Sequence, residues 1–86
     1  MNIYVANLSY QAMDSDLKKL FGEFGVVKAA RVVMDNFTRR SRGFGFVDME
    51  ERTDGEKAIS KLDKSSFMQQ SLIVREASIQ QSKRKI

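Results

Sequence analysis

Apolar and polar positions along the chain alternate in two different periods, and the changes of period mark six short elements. Residues 2 to 7 set Ile3 and Val5 apart by Tyr4 and run into the turn-like "NLSYQ", which predicts a first strand. In "DSDLKKLFGEFG" the residues Leu17, Leu20, Phe21 and Phe24 fall at i, i+3, i+4 and i+7, one face of a helix. Asp14 and Asp16 sit at the positive end of its dipole, Gly22 in its interior and Gly25 after its last turn. Val26 to Met34 predicts a second strand, with Ala30 and Val32 on one face and Ala29, Arg31 and Val33 on the other. "DNFTRRSRG" has no apolar periodicity and reads as a basic hairpin loop, after which "RGFGFVDM", residues 42 to 49, resumes the alternation as a third strand.

Thr53 to Glu56 spells Thr-Asp-Gly-Glu, a capping box that predicts the start of a second helix with Gly55, Ala58, Ile59 and Leu62 as its buried stripe. Polar "DKSS" and residues 67 to 70 follow. "SLIVREA" then sets Leu72 and Val74 against Ile73 and Arg75 as a fourth strand. The order is β-α-β-β-α-β. Two right-handed crossovers would put both helices on one face of a four-stranded antiparallel sheet, an α+β, ferredoxin-like sandwich whose other face stays open. One domain is expected over residues 1–78, and residues 79–86 form a basic tail with Lys83, Arg84 and Lys85.

Composition narrows the chemistry. With no cysteine and no histidine among the 86 residues, disulfides, thiolate metal sites and imidazole acid–base catalysis are excluded. No apolar run approaches the roughly 18 residues of a membrane span, and no signal-peptide pattern opens the chain, so it is expected to stay in the cytoplasm. Fifteen Lys and Arg against eleven Asp and Glu leave a net charge of +4, which suits a polyanionic partner.

The charges also decide which face of each strand is wet. Phe44 and Phe46 share a parity with Arg42 and Asp48, so burying the phenylalanines would draw both charges inward. Turning the strand over buries Gly43, Gly45, Val47 and Met49 instead, the glycines leaving room for a helix to approach closely. The first strand agrees, since burying Ile3 and Val5 exposes Asn2, Tyr4 and Ala6; the fourth agrees by exposing Arg75. Tyr4, Phe44 and Phe46 are thereby expected on one open surface ringed by Arg31, Arg42 and Arg75, and an apolar patch of that kind marks a contact site.

These residues resemble an RNA recognition motif domain. Arg42 to Met49 matches the family's longer signature, K/R-G-F/Y-G/A-F-V-x-F/Y, at every position but the last, where Met49 replaces an aromatic; "IYVANL", residues 3 to 8, is similar to the shorter signature. The resemblance implies a monomeric module for single-stranded RNA with no cofactor and no small-molecule substrate. It implies that Tyr4 and Phe46 each stack a base, that Phe44 lies against the sugars, and that Arg42 meets a phosphate. Asn2, Arg31, Arg39, Arg40, Arg75 and Ala77 are expected to complete the contact set, Lys28 to add a further positive charge, and residues 76 to 78 to bear on base choice. Family members often carry glycines after the second helix and before the fourth strand, where this chain has Asp63-Lys64 and Gln69-Gln70, so those turns are expected to differ. A protein-interaction module on the same fold, a binder of single-stranded DNA and an acylphosphatase-like enzyme are the alternatives. The last needs a glycine-rich, arginine-bearing cradle that "NLSYQAMD" lacks.

Overall fold

The computed structural model describes residues 1–77; the basic tail expected at 79–86 lies outside them. Alternation and helical spacing become β1 (Asn2–Ala6), α1 (Asp14–Gly22), β2 (Val27–Met34), β3 (Ser41–Met49), α2 (Arg52–Leu62), β4 (Ser66–Phe67), β5 (Gln70–Ser71) and β6 (Ile73–Glu76). Four strands form one antiparallel sheet in the order β2-β3-β1-β6, and β4 pairs with β5 as a small separate hairpin. This is the ferredoxin-like arrangement that the element order implied. The core is a single layer in which Ile3, Val5, Val47, Met49 and Val74 from the sheet meet Leu17 and Phe21 of α1 and Ala58 and Leu62 of α2. Met49 is fully buried, so the one departure from the longer signature falls in the core and leaves the open face untouched.

The strand order makes β2 and β6 the edges, where outward N–H groups have no strand to bond. Each edge receives an aspartate from a helix end. Asp14, which opens α1, accepts the Val32 N–H at 2.7 Å, and Asp63, which follows α2, accepts the Val74 N–H at 2.9 Å. Hydrogen bonds to a carboxylate are among the stronger kinds. The same two contacts hold each helix end over its strand and leave the opposite face of the sheet uncovered.

Several boundaries differ from the sequence pattern. Helix α2 starts at Arg52, with Glu51 at the N-cap and no side-chain cap, so the Thr53–Glu56 capping box does not form. The earlier start brings the Arg52 guanidinium to both carboxylate oxygens of Glu76, at 3.3 and 2.9 Å, and to Glu56 at 3.6 Å. The hydrogen bond from Arg52 holds the Glu76 carboxyl below its ordinary range, and Glu76 in turn raises Arg52. The N-terminal carboxylate contact appears instead at α1, where Asp16 accepts the Met13 N–H at 2.8 Å. Helix α1 ends at Gly22, so that glycine closes the helix, and Phe24 packs against the core from beyond it.

The stretch before the last strand also holds more structure than its composition suggests. Phe67 pairs with Gln70 across a two-residue turn in which Met68 and Gln69 both have positive φ, 53° and 69°. Lys64 has φ 70°. Those are left-handed conformations that glycine adopts readily, and here Lys64, Met68 and Gln69 take them up without being glycine.

Candidate nucleic-acid interface

Register builds the open face row by row. Tyr4 pairs with Phe46 on one side and with Arg75 on the other, and Phe46 pairs with Arg31, so Arg31, Phe46, Tyr4 and Arg75 form one line across all four strands. The next row holds Phe44, Ala6 and Ile73; on the other side Asn2 faces Asp48, which faces Ala29. The three rings are mutual neighbours. Tyr4 lies 5.8 Å from Phe44 and 5.7 Å from Phe46 between centroids, and the two phenylalanines stand edge-on at 6.2 Å.

Parity therefore placed the aromatics on the correct face, but they are half-buried rather than fully in water, because each ring leans on the other two. Arg31 and Arg75 are exposed at the two ends of the central row, with no carboxylate partner among the described residues. Asp48, on the same face, lies 3.4 Å from the amino group of Met1.

The two signature glycines have a different role from the one their parity suggests. A Cβ on Gly45 would collide with the Arg31 carbonyl oxygen and stand 3.1 Å from Val32 Cα, so Gly45 lets β2, not a helix, close on β3. Gly43 has φ +83° and lies in a bulge where Arg42 to Phe44 oppose Val33 alone. Its N–H donates to Ser41 Oγ at 3.0 Å, and its carbonyl accepts the Leu8 N–H at 2.8 Å. The bulge sends Arg42 to the end of the aromatic surface, where it borders one hollow with Tyr4 and Phe44.

Arg39 and Arg40 sit apart from the sheet, on the loop between β2 and β3. Asp35 organises that loop: its N–H donates to the Arg40 carbonyl at 2.8 Å, its carbonyl accepts the Arg39 N–H at 2.8 Å, and its side chain accepts the Phe37 N–H at 2.8 Å. Both arginines are exposed and border a second hollow that Arg42 shares. Lys28 is exposed on β2.

Two expectations around residues 76 to 78 change. Ala77 is buried and gives its N–H to the Asn2 carbonyl at 2.8 Å, so its methyl group offers nothing to a ligand; what remains is its carbonyl. Glu76 is opposite Ile3, on the helix side of the sheet, and is engaged by Arg52. Residue 78 lies outside the described residues.

Tyr10 was not among the expected contacts, yet it is 76% exposed and borders both hollows. The signal in the sequence was an aromatic in "NLSYQ" that falls outside the apolar stripe of the helix that follows.

Comparisons with known proteins agree with this geometry. A family model described as RNA recognition motif matches residues 3–73. Among curated relatives, RbpD of Nostoc sp., to which RNA binding is ascribed, is 44% identical over 77 residues, 90% of this chain and 82% of that protein. RbpA of Synechocystis sp., ascribed the same activity, is 43% identical over 77 residues, 90% of this chain and 76% of that one. Among solved structures, the crystal structure of RNA Binding Protein PG1 is 49% identical with a TM-score of 0.89 over 91% of this chain and 94% of that chain. The RNA recognition domains 1 and 2 of Sex-lethal from Drosophila melanogaster match at 30% identity and TM-score 0.83, over 88% of this chain and 48% of theirs. Matched from its first strand to its last, with both signatures on adjacent central strands, the chain belongs to the RNA recognition motif family, a family of RNA-binding domains and not of enzymes.

Proposed function

We propose that this chain binds single-stranded RNA on the open face of its sheet, with one base on Tyr4, the next on Phe46, the intervening sugars against Phe44, and phosphates met by Arg31, Arg42 and Arg75. The observation that carries this reading is the row Arg31, Phe46, Tyr4, Arg75, which sets two π-faces between two cations across four strands. Bases reach such a surface only when they are unpaired and splayed, since a duplex hides their faces. Asn2 is exposed in the adjacent row, on β1 opposite Asp48. The aromatic rows and their arginines all come from one chain, so a monomer suffices.

Magnitudes set the scale of binding. Stacking contributes about 1–3 kcal/mol per base, so two stacked bases fall short of the roughly 8 kcal/mol of a micromolar complex. Phosphate contacts supply the remainder, which makes binding short in footprint, modest in affinity and dependent on salt. Titration of labelled random-sequence single-stranded RNA across a salt series tests this. Log K falls with log salt by about 0.7 per phosphate contact, and Arg75→Ala or Arg31→Ala lowers that slope by about 0.7. Affinity that ignores salt, or binding to duplex as tight as to single strands, refutes the reading.

A further inference from the structure

Tyr10 stands in the loop between β1 and α1 with three-quarters of its surface in solvent, yet the backbone beneath it is tied down. Gln11 N–H donates to Ser9 Oγ at 3.1 Å, Ala12 N–H to the Ser9 carbonyl at 3.0 Å, and Leu8 N–H to the Gly43 carbonyl at 2.8 Å. The ring rests against Gly43, where an added Cβ would meet Tyr10 Cε1 at 3.4 Å. The signature bulge thus seats an aromatic ring that core packing does not require.

Two hollows flank this ring. One, of about 580 Å³, lies between Tyr10 and the aromatic sheet surface, bordered by Tyr4, Phe44, Arg42, Asn7 and Gln70. Its size falls in the range of roughly 300–1,000 Å³ found for sites that hold a small organic group. The other, of about 670 Å³, continues past Tyr10 to Arg39 and Arg40. Tyr10 and Arg42 border both, so they stand where a strand leaving the sheet would cross towards the β2–β3 loop.

We propose that Tyr10 and Arg42 form a third nucleotide subsite: a base of the same RNA strand stacks on the Tyr10 ring, its phosphate meets Arg42, and the chain passes on to Arg39 and Arg40. Gln70, which borders the same hollow, offers its amide oxygen to the edge of that base. Its Nε2 is directed at Asn7, 3.4 Å from Oδ1 and 3.5 Å from the carbonyl. The subsite rests on the reading of the sheet as an RNA surface and extends it beyond Tyr4 and Phe46. It also gives Arg39 and Arg40, which lie off the sheet, a continuous path to the bound strand.

The test compares Tyr10→Ala, Tyr10→Phe and Phe46→Ala in titrations with random-sequence single-stranded RNA of stepwise increasing length. Photo-crosslinking with 4-thiouridine-substituted RNA, mapped to peptides, runs alongside. Tyr10→Ala melts as the parent does, binds the shortest RNAs that fill the sheet equally well, and binds longer ones about fivefold or more weakly. Tyr10→Phe retains the parent affinity, and crosslinks appear on the peptide containing Tyr10. If Phe46→Ala weakens binding while Tyr10→Ala matches the parent at every length, the subsite is refuted and the sheet reading stands. A loss at all lengths together with a lowered melting temperature makes Tyr10 a support for its loop and also refutes the subsite. Undiminished binding by Phe46→Ala removes the sheet reading and the subsite with it.

Discussion

Phe46 separates packing from recognition, and replacing it by both alanine and leucine tests that separation. A Phe in the core costs about 3–5 kcal/mol of folding stability when cut to alanine. Phe46 is half-buried, and it has two aromatic neighbours, Tyr4 at 5.7 Å and Phe44 at 6.2 Å. At about 0.5–1.5 kcal/mol for each aromatic pair beyond the area it buries, the two pairs alone make Phe46→Ala cost upwards of about 1–3 kcal/mol of stability, leaving a folded domain with a melting temperature lowered by about 4–8 °C per kcal/mol. RNA affinity should fall by about 1–3 kcal/mol, about 5-fold to 150-fold, from the lost stack. Phe46→Leu decides between the two effects, because leucine restores most of the apolar volume and none of the π-face. It should recover much of the stability and little of the affinity, as read by thermal melting and by RNA titration at fixed salt. Recovery of affinity in step with stability would show that Phe46 serves the fold alone, and unfolding of the alanine variant would put it in the core.

Other contacts lead to separate outcomes. Asp63→Ala leaves the partly buried Val74 N–H without its partner and should destabilise the domain by about 1–3 kcal/mol, with faster amide exchange at Val74. Replacing Met68-Gln69 by Asn-Gly relieves two residues held at positive φ in a two-residue hairpin turn, and should raise stability by about 1–2 kcal/mol in chemical denaturation without changing RNA affinity. The depressed pKa of Glu76 means that its pair with Arg52 supports folding above the ordinary carboxylate range and loses that support as pH falls through the lower folded value. Glu76→Gln should therefore flatten the acid side of the melting-temperature profile. The change should be small and should fade in high salt, because both side chains are exposed on the surface.

Much of the architecture and of the candidate surface could be read from side-chain parity, because a strand with one covered face cannot bury Phe44 and Phe46 without also turning Arg42 and Asp48 inward. That constraint is local and binary, and it fixed the face of β1, β3 and β6 alike. What parity could not supply is geometry that depends on a second strand or a helix end. Thr53 and Glu56 had the residue types of a capping box, yet the α2 start was moved to Arg52, whose guanidinium pairs with Glu76, a partner 24 residues away. Asp14 and Asp63 read as dipole and turn residues, and their bonds to edge-strand N–H groups exist only once the sheet order is set. The β4–β5 hairpin was missed for the converse reason: Met68-Gln69 carries none of the Asn-Gly chemistry that announces such a turn.

The glycines show the same limit most directly. Alternation assigned Gly43 and Gly45 to the buried side and left them one purpose, the approach of a helix, whereas the contacts divide them. Gly45 is required by the carbonyl of Arg31 on the neighbouring strand, and Arg31 is itself an end of the aromatic row, so the close approach of β2 to β3 sets the distance from cation to ring. Gly43 is favoured by its positive φ, and it lies beside the ring of Tyr10, a residue some thirty positions earlier in the chain that alternation had no means of placing there. A strand that tolerates two glycines loses some intrinsic stability. Here the loss at Gly45 coincides with the close approach of the strand that carries Arg31, and the loss at Gly43 with the bulge beside the Tyr10 loop. The spacing Gly43-Phe44-Gly45-Phe46 therefore alternates two kinds of residue: the phenylalanines form the open surface, Gly45 lets the strand that carries Arg31 close on it, and Gly43 takes the positive φ of the bulge beside Tyr10.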